Sequence, residues 1–185
     1  MRFNMGCGHN RIDGYVNVDA FATCNPDQVF NLETTPWPWE TGCATEILFN
    51  HSLEHMGAQV GVFMAIMKEI YRIAAPGALL RVNVPHPRHD NFLNDPTHVR
   101  AVTPELLSLF DRELNDKWRD GKAANSPLAH YTGVDFKLDK VNMNLAEPFR
   151  SGLTEGRITS EEVMKAIRLH NNVVEELQMV LTVRK

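Results

Sequence analysis

No stretch of this chain approaches the roughly 18 consecutive apolar residues that crossing a bilayer requires. The first residues, MRFNMGCGHNR, hold no apolar core of the kind a secretory leader needs. A surplus of basic charge is also missing: 19 Lys and Arg stand against 23 Asp and Glu, a formal net charge of -4, with no block of like sign. A general nucleic-acid binder needs a concentrated basic surface, so that class is disfavoured. Cysteine is scarce, and Cys7, Cys24 and Cys43 form no C-x-x-C pair. They are expected as free thiols in a reducing compartment. No repeat or low-complexity segment breaks the chain. The expectation is a soluble, cytoplasmic protein without a membrane partner. Its 185 residues fit one domain, and a chain of that length buries about 70% of its unfolded surface without a disulfide or metal staple.

What is present is alternation between strand and helix patterns. Arg2–Met5, Tyr15–Asp19, Gln28–Leu32, Glu46–Asn50 and Leu79–Val84 read as five strands. A turn-rich stretch with Pro36, Pro38 and Gly42 interrupts them, and its Trp37 and Trp39 read as a packed loop. Between Gly57 and Ala74 the period becomes helical, with Val60, Phe63, Ile66, Met67, Ile70 and Ile73 on one stripe and Pro76-Gly77 as the stop. Thr103-Pro104 opens a second helix containing Leu106, Leu107, Leu109 and Phe110. Asn115 to Tyr131 reads as a loop or mobile cover, and Val134 to Asn144 as a strand. Thr159 and Glu162 form a capping box ahead of a helix with Val163 and Ile167. Val174 to Val183 alternates as a half-buried strand does. The pattern predicts an α/β fold finished by a hairpin.

The strongest local signal is Gly6-Cys7-Gly8 after the first strand, with Asp19 closing the second. Glycines let backbone approach a ligand closely, and an acid on the neighbouring strand can accept both hydrogen bonds of a ribose diol. The full dinucleotide fingerprint is missing. Arg11 stands where a third glycine belongs, and the acid follows Gly8 by only 11 residues. That leaves hardly any room for a crossover helix whose N-terminus would hold a pyrophosphate. A nicotinamide-dependent oxidoreductase is therefore disfavoured, and a ligand with adenosine but no phosphates is favoured.

The motifs FNMGCG, GYVNVD, HSLEHM and EIYRIAAPGALLRVNVP occur in that order between Phe3 and Pro85. They resemble "LNLGCG", "GYxNVD", "HVLEH" and "EIYRVLKPGGxLxIxVP" of a variant of the class I, Rossmann-like S-adenosylmethionine-dependent methyltransferases. DPTHVRAVTPE, from Asp95 to Glu105, resembles a further segment of some members. The resemblance implies a three-layer sandwich around a mostly parallel seven-stranded sheet whose last strand is antiparallel. Residues 1–85 would form the cofactor half and residues 86–185 the acceptor side. It implies S-adenosylmethionine as the cofactor, with Gly6, Cys7 and Gly8 against its methionine and ribose portion. Asp19 would hold the ribose hydroxyls, Asn31 and Leu32 would border the adenine, and His51 would lie beneath the sulfonium end. Asn31 departs from the family's frequent Asp, and Ala78 from its Gly.

Methyl transfer to a small-molecule or sugar-like acceptor is the leading expectation. DNA is an unexpected acceptor, because the D/N-P-P-Y/F motif of DNA amino-methylation is missing at Asn50-His51-Ser52-Leu53. RNA and protein acceptors stay open, but nothing basic or appended points to them, so nucleic acid is an unexpected partner. The alternative is a non-catalytic S-adenosylmethionine-binding accessory domain. His51, His86 and His98 are the catalytic candidates, since histidine can act as a base near neutral pH. His86, His89, Asp90, Asp95 and His98 follow the fifth strand, where an acceptor pocket is expected. They read as acceptor ligands or a base, as turn caps, or as a metal set. Their spacing matches no established ligand signature, so no metal is expected. Glu54 and His55 read as the start of a helix, with the acid favoured by the dipole.

Overall fold

A computed structural model describes residues 1–185. Seven strands form one sheet: β1 (Arg2–Met5), β2 (Val16–Asp19), β3 (Gln28–Val29), β4 (Ala44–Asn50), β5 (Ala74–Pro85), β6 (Phe136–Leu145) and β7 (Val174–Val183). Their order is β3-β2-β1-β4-β5-β7-β6. Pairing is parallel from β3 to β5 and antiparallel where β7 joins β5 and β6. This is the mixed Rossmann-like α/β fold. The chain runs outward from β1 to β2 and β3, then returns to place β4 on the other side of β1. Such a reversal opens a crevice at the carboxyl ends of the strands.

The main helix, α1 (Val60–Ile73), buries Phe63, Ile66, Met67, Ile70 and Ile73 in the core. Val60, on the predicted stripe, is exposed because it sits in the first turn. No crossover helix joins β1 to β2. An asparagine network holds that short connection instead: Asn4 Nδ2 donates to Asn17 Oδ1 at 2.9 Å and to the Asn10 carbonyl at 3.0 Å. Asn17 Oδ1 also accepts from the Ile12 N–H at 2.8 Å, and Asn17 Nδ2 donates to Asp27 at 2.8 Å. Between β3 and β4 a loop puts Trp37 and Trp39 into the core, as expected, with Trp39 4.9 Å from the Phe3 ring. Glu69 of α1 anchors that loop by accepting from the Trp37 N–H at 2.6 Å.

Several short helices follow: α2 (Asp90–Leu93), α3 (Pro104–Ser108), α4 (Arg112–Asp120), α5 (Leu128–Thr132), α6 (Phe149–Thr154) and α7 (Ser160–Leu169). The Thr103 cap and the Thr159–Glu162 capping box both form as predicted. Three expectations fail. β3 keeps only Gln28–Val29 of the expected Gln28–Leu32. The stretch from Asn115 to Tyr131 is not a bare loop: it holds most of α4 and α5, pinned by Asn115, which donates to the Leu109 carbonyl and accepts from the Ala129 N–H, both at 3.0 Å. A single buried asparagine supplies the anchor that apolar counting missed. Pro76-Gly77 does not stop α1 either. The helix ends at Ile73 and β5 begins at Ala74, with the proline and glycine in an irregularity of its pairing to β4. No helix is long and apolar enough to cross a membrane.

Candidate functional site

A cleft of about 270 Å³ opens at the carboxyl edge of β1 to β4. The segment leaving each of these strands lines part of it. After β1, Gly6 turns at φ +68°, and the N–H groups of Gly6 and Cys7 both donate to the Val18 carbonyl, at 2.8 and 2.9 Å. A Cβ on Gly6 would lie 2.6 Å from that of Ser52, whereas one on Gly8 (φ +51°) would meet nothing within 4 Å. The first glycine is there for packing against Ser52. The second leaves open space for a ligand.

Asp19, at the end of β2, is 8% exposed and lines the cleft. Its two oxygens accept from the Gly8 N–H at 2.8 Å and the Phe21 N–H at 2.9 Å. Two backbone donors therefore fix the carboxylate, while its remaining lone pairs are free for a diol. Phe21 is 69% exposed beside it, and Phe30, Asn31, Leu32 and Glu33 complete that wall. Asn31 folds its Oδ1 onto the Glu33 N–H at 3.0 Å. Cys7 is buried and does not line the cleft; its thiol turns to the Gly8 carbonyl, and burial pushes its pKa up. A buried, protonated thiol is a poor nucleophile.

His51 follows β4 in the left-handed region, at φ +52°, a conformation strained for a side chain with a Cβ. Its ring is 48% exposed and lies within 2.6 Å, through Nε2, of Glu176 Oε2. A carboxylate only accepts, so Nε2 carries a proton, and in the neutral ring Nδ1 holds the lone pair. Glu176 is itself held by Asn144 Nδ2 and Gln178 Nε2, each donating to Oε1 at 2.7 Å. His51 also lines a second, wholly polar pocket of about 300 Å³ with Asn91, Asn144, Arg150, Glu175 and Glu176. The histidine is the wall shared by the two spaces. Nothing in the sequence pointed to Glu176, which stood only as a polar position in an alternating strand.

His86 and His98 line neither space. His86 joins the Arg88 turn by accepting from its N–H at 3.2 Å, and burial together with the Arg88 charge lowers its pKa. His98 stacks on Phe92, with ring centroids 5.2 Å apart, and donates from Nδ1 to the Phe92 carbonyl at 2.9 Å. The predicted group after the fifth strand thus divides, with His98 and Asp95 folding back onto Leu53–His55. That segment is a single 3-10 turn rather than the start of α1, and Glu54 in it caps nothing. The Glu54 carbonyl accepts from the N–H groups of Val99 and Arg100, while its carboxyl is 1% exposed with both oxygens unpartnered. Burial raises its pKa, against its own nearby N–H, which falls short of hydrogen-bond geometry, and the charges of His55, His51 and His98.

No protein-family model matches the sequence, and no curated protein does. Among solved structures, the chain is similar to an S-adenosylmethionine-dependent methyltransferase from Archaeoglobus fulgidus. That match has a TM-score of 0.65 at 15% identity, over 97% of this chain and 84% of the other. A Methanosarcina mazei methyltransferase of the same dependence matches at TM-score 0.56 and 12% identity, over 98% and 91% of the chains. One from Mesorhizobium loti matches at 0.52 and 14%, over 98% and 90%. The fold is therefore that of the class I methyltransferases.

Proposed function

We propose that the protein transfers a methyl group from S-adenosylmethionine to a small polar acceptor. One observation carries this reading: the cleft joins a glycine turn to two acids, the backbone-fixed Asp19 and Glu33, with no lysine or arginine in its lining. A dinucleotide brings phosphates and calls for cations or a helix N-terminus. S-adenosylmethionine brings a ribose, a sulfonium and an ammonium, all suited to acids. Asp19 holds the ribose hydroxyls, Phe21, Phe30 and Leu32 face the adenine, and Gly8 admits backbone contact.

The cofactor supplies a methyl group on a good leaving atom, so orientation and exclusion of water are the main demands on the protein. The polar pocket beyond His51 fits an acceptor rich in hydroxyl or amino groups. Nδ1 of His51 takes the acceptor's proton, and Glu176 stabilises the imidazolium that forms. Calorimetric titration with S-adenosylhomocysteine, with NAD in parallel, tests the cofactor. The homocysteine compound alone is expected to bind, weakened by about 1–3 kcal/mol in Asp19→Ala through loss of a charged hydrogen-bond partner. Binding of NAD instead, or of neither, overturns the reading.

A further inference from the structure

We propose that Glu54, His55 and His98 form a binding site for a divalent transition-metal ion of the zinc class, at the rim of the cleft. One ligand atom from each of the three lies within 4.8 Å of the others. The carboxyl of Glu54 is the second, independent sign. It is 1% exposed, and neither oxygen has a hydrogen-bond partner although three imidazoles surround it. The nearest approach of His51 is Nδ1 at 3.8 Å, beyond hydrogen-bond reach. A buried carboxylate left without partners is costly, and a cation offsets that cost directly.

Both histidines are already in the tautomer a metal needs. His98 donates from Nδ1 to the Phe92 carbonyl. His55 Nδ1 lies 2.9 Å from Thr97 Oγ1, which itself donates to Asp95 Oδ1 at 2.6 Å, so the hydroxyl accepts from His55. Each ring therefore keeps its Nε2 lone pair free, the second-sphere pattern of metal-bound histidine. Asp95 Oδ2 stands 3.8 Å from His98 Nε2, too far to be its hydrogen-bond partner. Two imidazoles and one carboxylate are a donor set for zinc, iron or manganese, and three protein ligands leave a position for a bound molecule. His55 also lines the cleft, which puts the site at its edge. The site stands whether or not the cleft takes S-adenosylmethionine.

The test uses the untagged chain stripped with a chelator, then titrated with Zn²⁺ by calorimetry and with Co²⁺ by visible absorption. One equivalent of each is expected, with Co²⁺ giving d–d bands of a low-coordinate site. Glu54→Gln and His98→Ala are each expected to weaken binding at least tenfold, while His86→Ala leaves it unchanged. Glu54→Gln keeps the shape and removes a buried charge, so it decides the matter if His98→Ala does not fold. No saturable uptake of either ion by the parent chain, or equal affinity in Glu54→Gln, overturns the site.

Discussion

At the scale of single residues, the two glycines of the first turn serve different ends. Gly6→Ala adds a Cβ 2.6 Å from Ser52 at a positive φ, where an L side chain is strained. It is expected to lower stability by about 2–5 kcal/mol, combining backbone strain with overpacking. Chemical denaturation measures this, and a loss under about 1 kcal/mol would show that Ser52 simply moves aside. His51 has a different role. In His51→Ala the fold should persist, since the ring is half exposed and alanine keeps the Cβ, leaving the backbone strain as it was. Binding of S-adenosylhomocysteine should be little changed, while turnover of a found acceptor drops about 10²–10⁴-fold, the usual share of a general base. Equal turnover in the variant would remove the base role. Of the predicted cofactor residues, Gly6, Gly8, Asp19, Asn31, Leu32 and His51 all line the one cleft, and Cys7 lies behind it.

At the scale of elements, α1 does more than fill the core. Glu69 lies among its buried residues and joins Arg72 to the tryptophan loop: Arg72 donates to Glu69 and to the carbonyls of Trp37 and Trp39. The Arg72 hydrogen bonds, then that from the Trp37 N–H, hold the Glu69 carboxyl below its ordinary pKa. A depressed folded pKa means stability that is present above the ordinary carboxylate value and lost as pH falls through the lower folded value. Glu69→Gln should therefore cost about 1–3 kcal/mol at pH 7. The gap to the parent should shrink below about pH 4, where the unfolded carboxylate also protonates. Thermal melts of both proteins from pH 3 to 7 check this, and a gap constant across that range contradicts it. The amphipathic stripe and both capping threonines were legible because they are local. The helices between Arg112 and Thr132 were not, because Asn115 anchors them through partners at Leu109 and Ala129, which only folding brings near.

At the scale of the whole molecule, the cleft draws one wall from each of four strands, so a bound ligand ties together segments from Gly6 to Met56. A ligand that binds only the folded state stabilises it by about 2.7 kcal/mol at 100 times its Kd. For a chain of this size that is a rise of roughly 5–10 °C in Tm. Differential scanning fluorimetry with S-adenosylhomocysteine should show such a rise, and with NAD none. A rise with NAD alone would put the disfavoured dinucleotide reading first.

The sequence by itself determined the strands of the parallel half, the glycine turn, the acid at its side and the sheet's antiparallel finish. Each of these rests on hydrophobic period or on backbone freedom within a few residues. Only the tertiary structure decided that Glu176 of the last strand reaches His51, across 125 positions of sequence. It alone turned His98 away from the acceptor side and onto Glu54 and His55. Such meetings depend on which strand lies beside which, and on a segment after β5 folding back over the turn after β4. Long-range pairing of that kind leaves no periodic trace in the chain, because a polar residue on a strand's open face looks the same whether it meets water or a histidine.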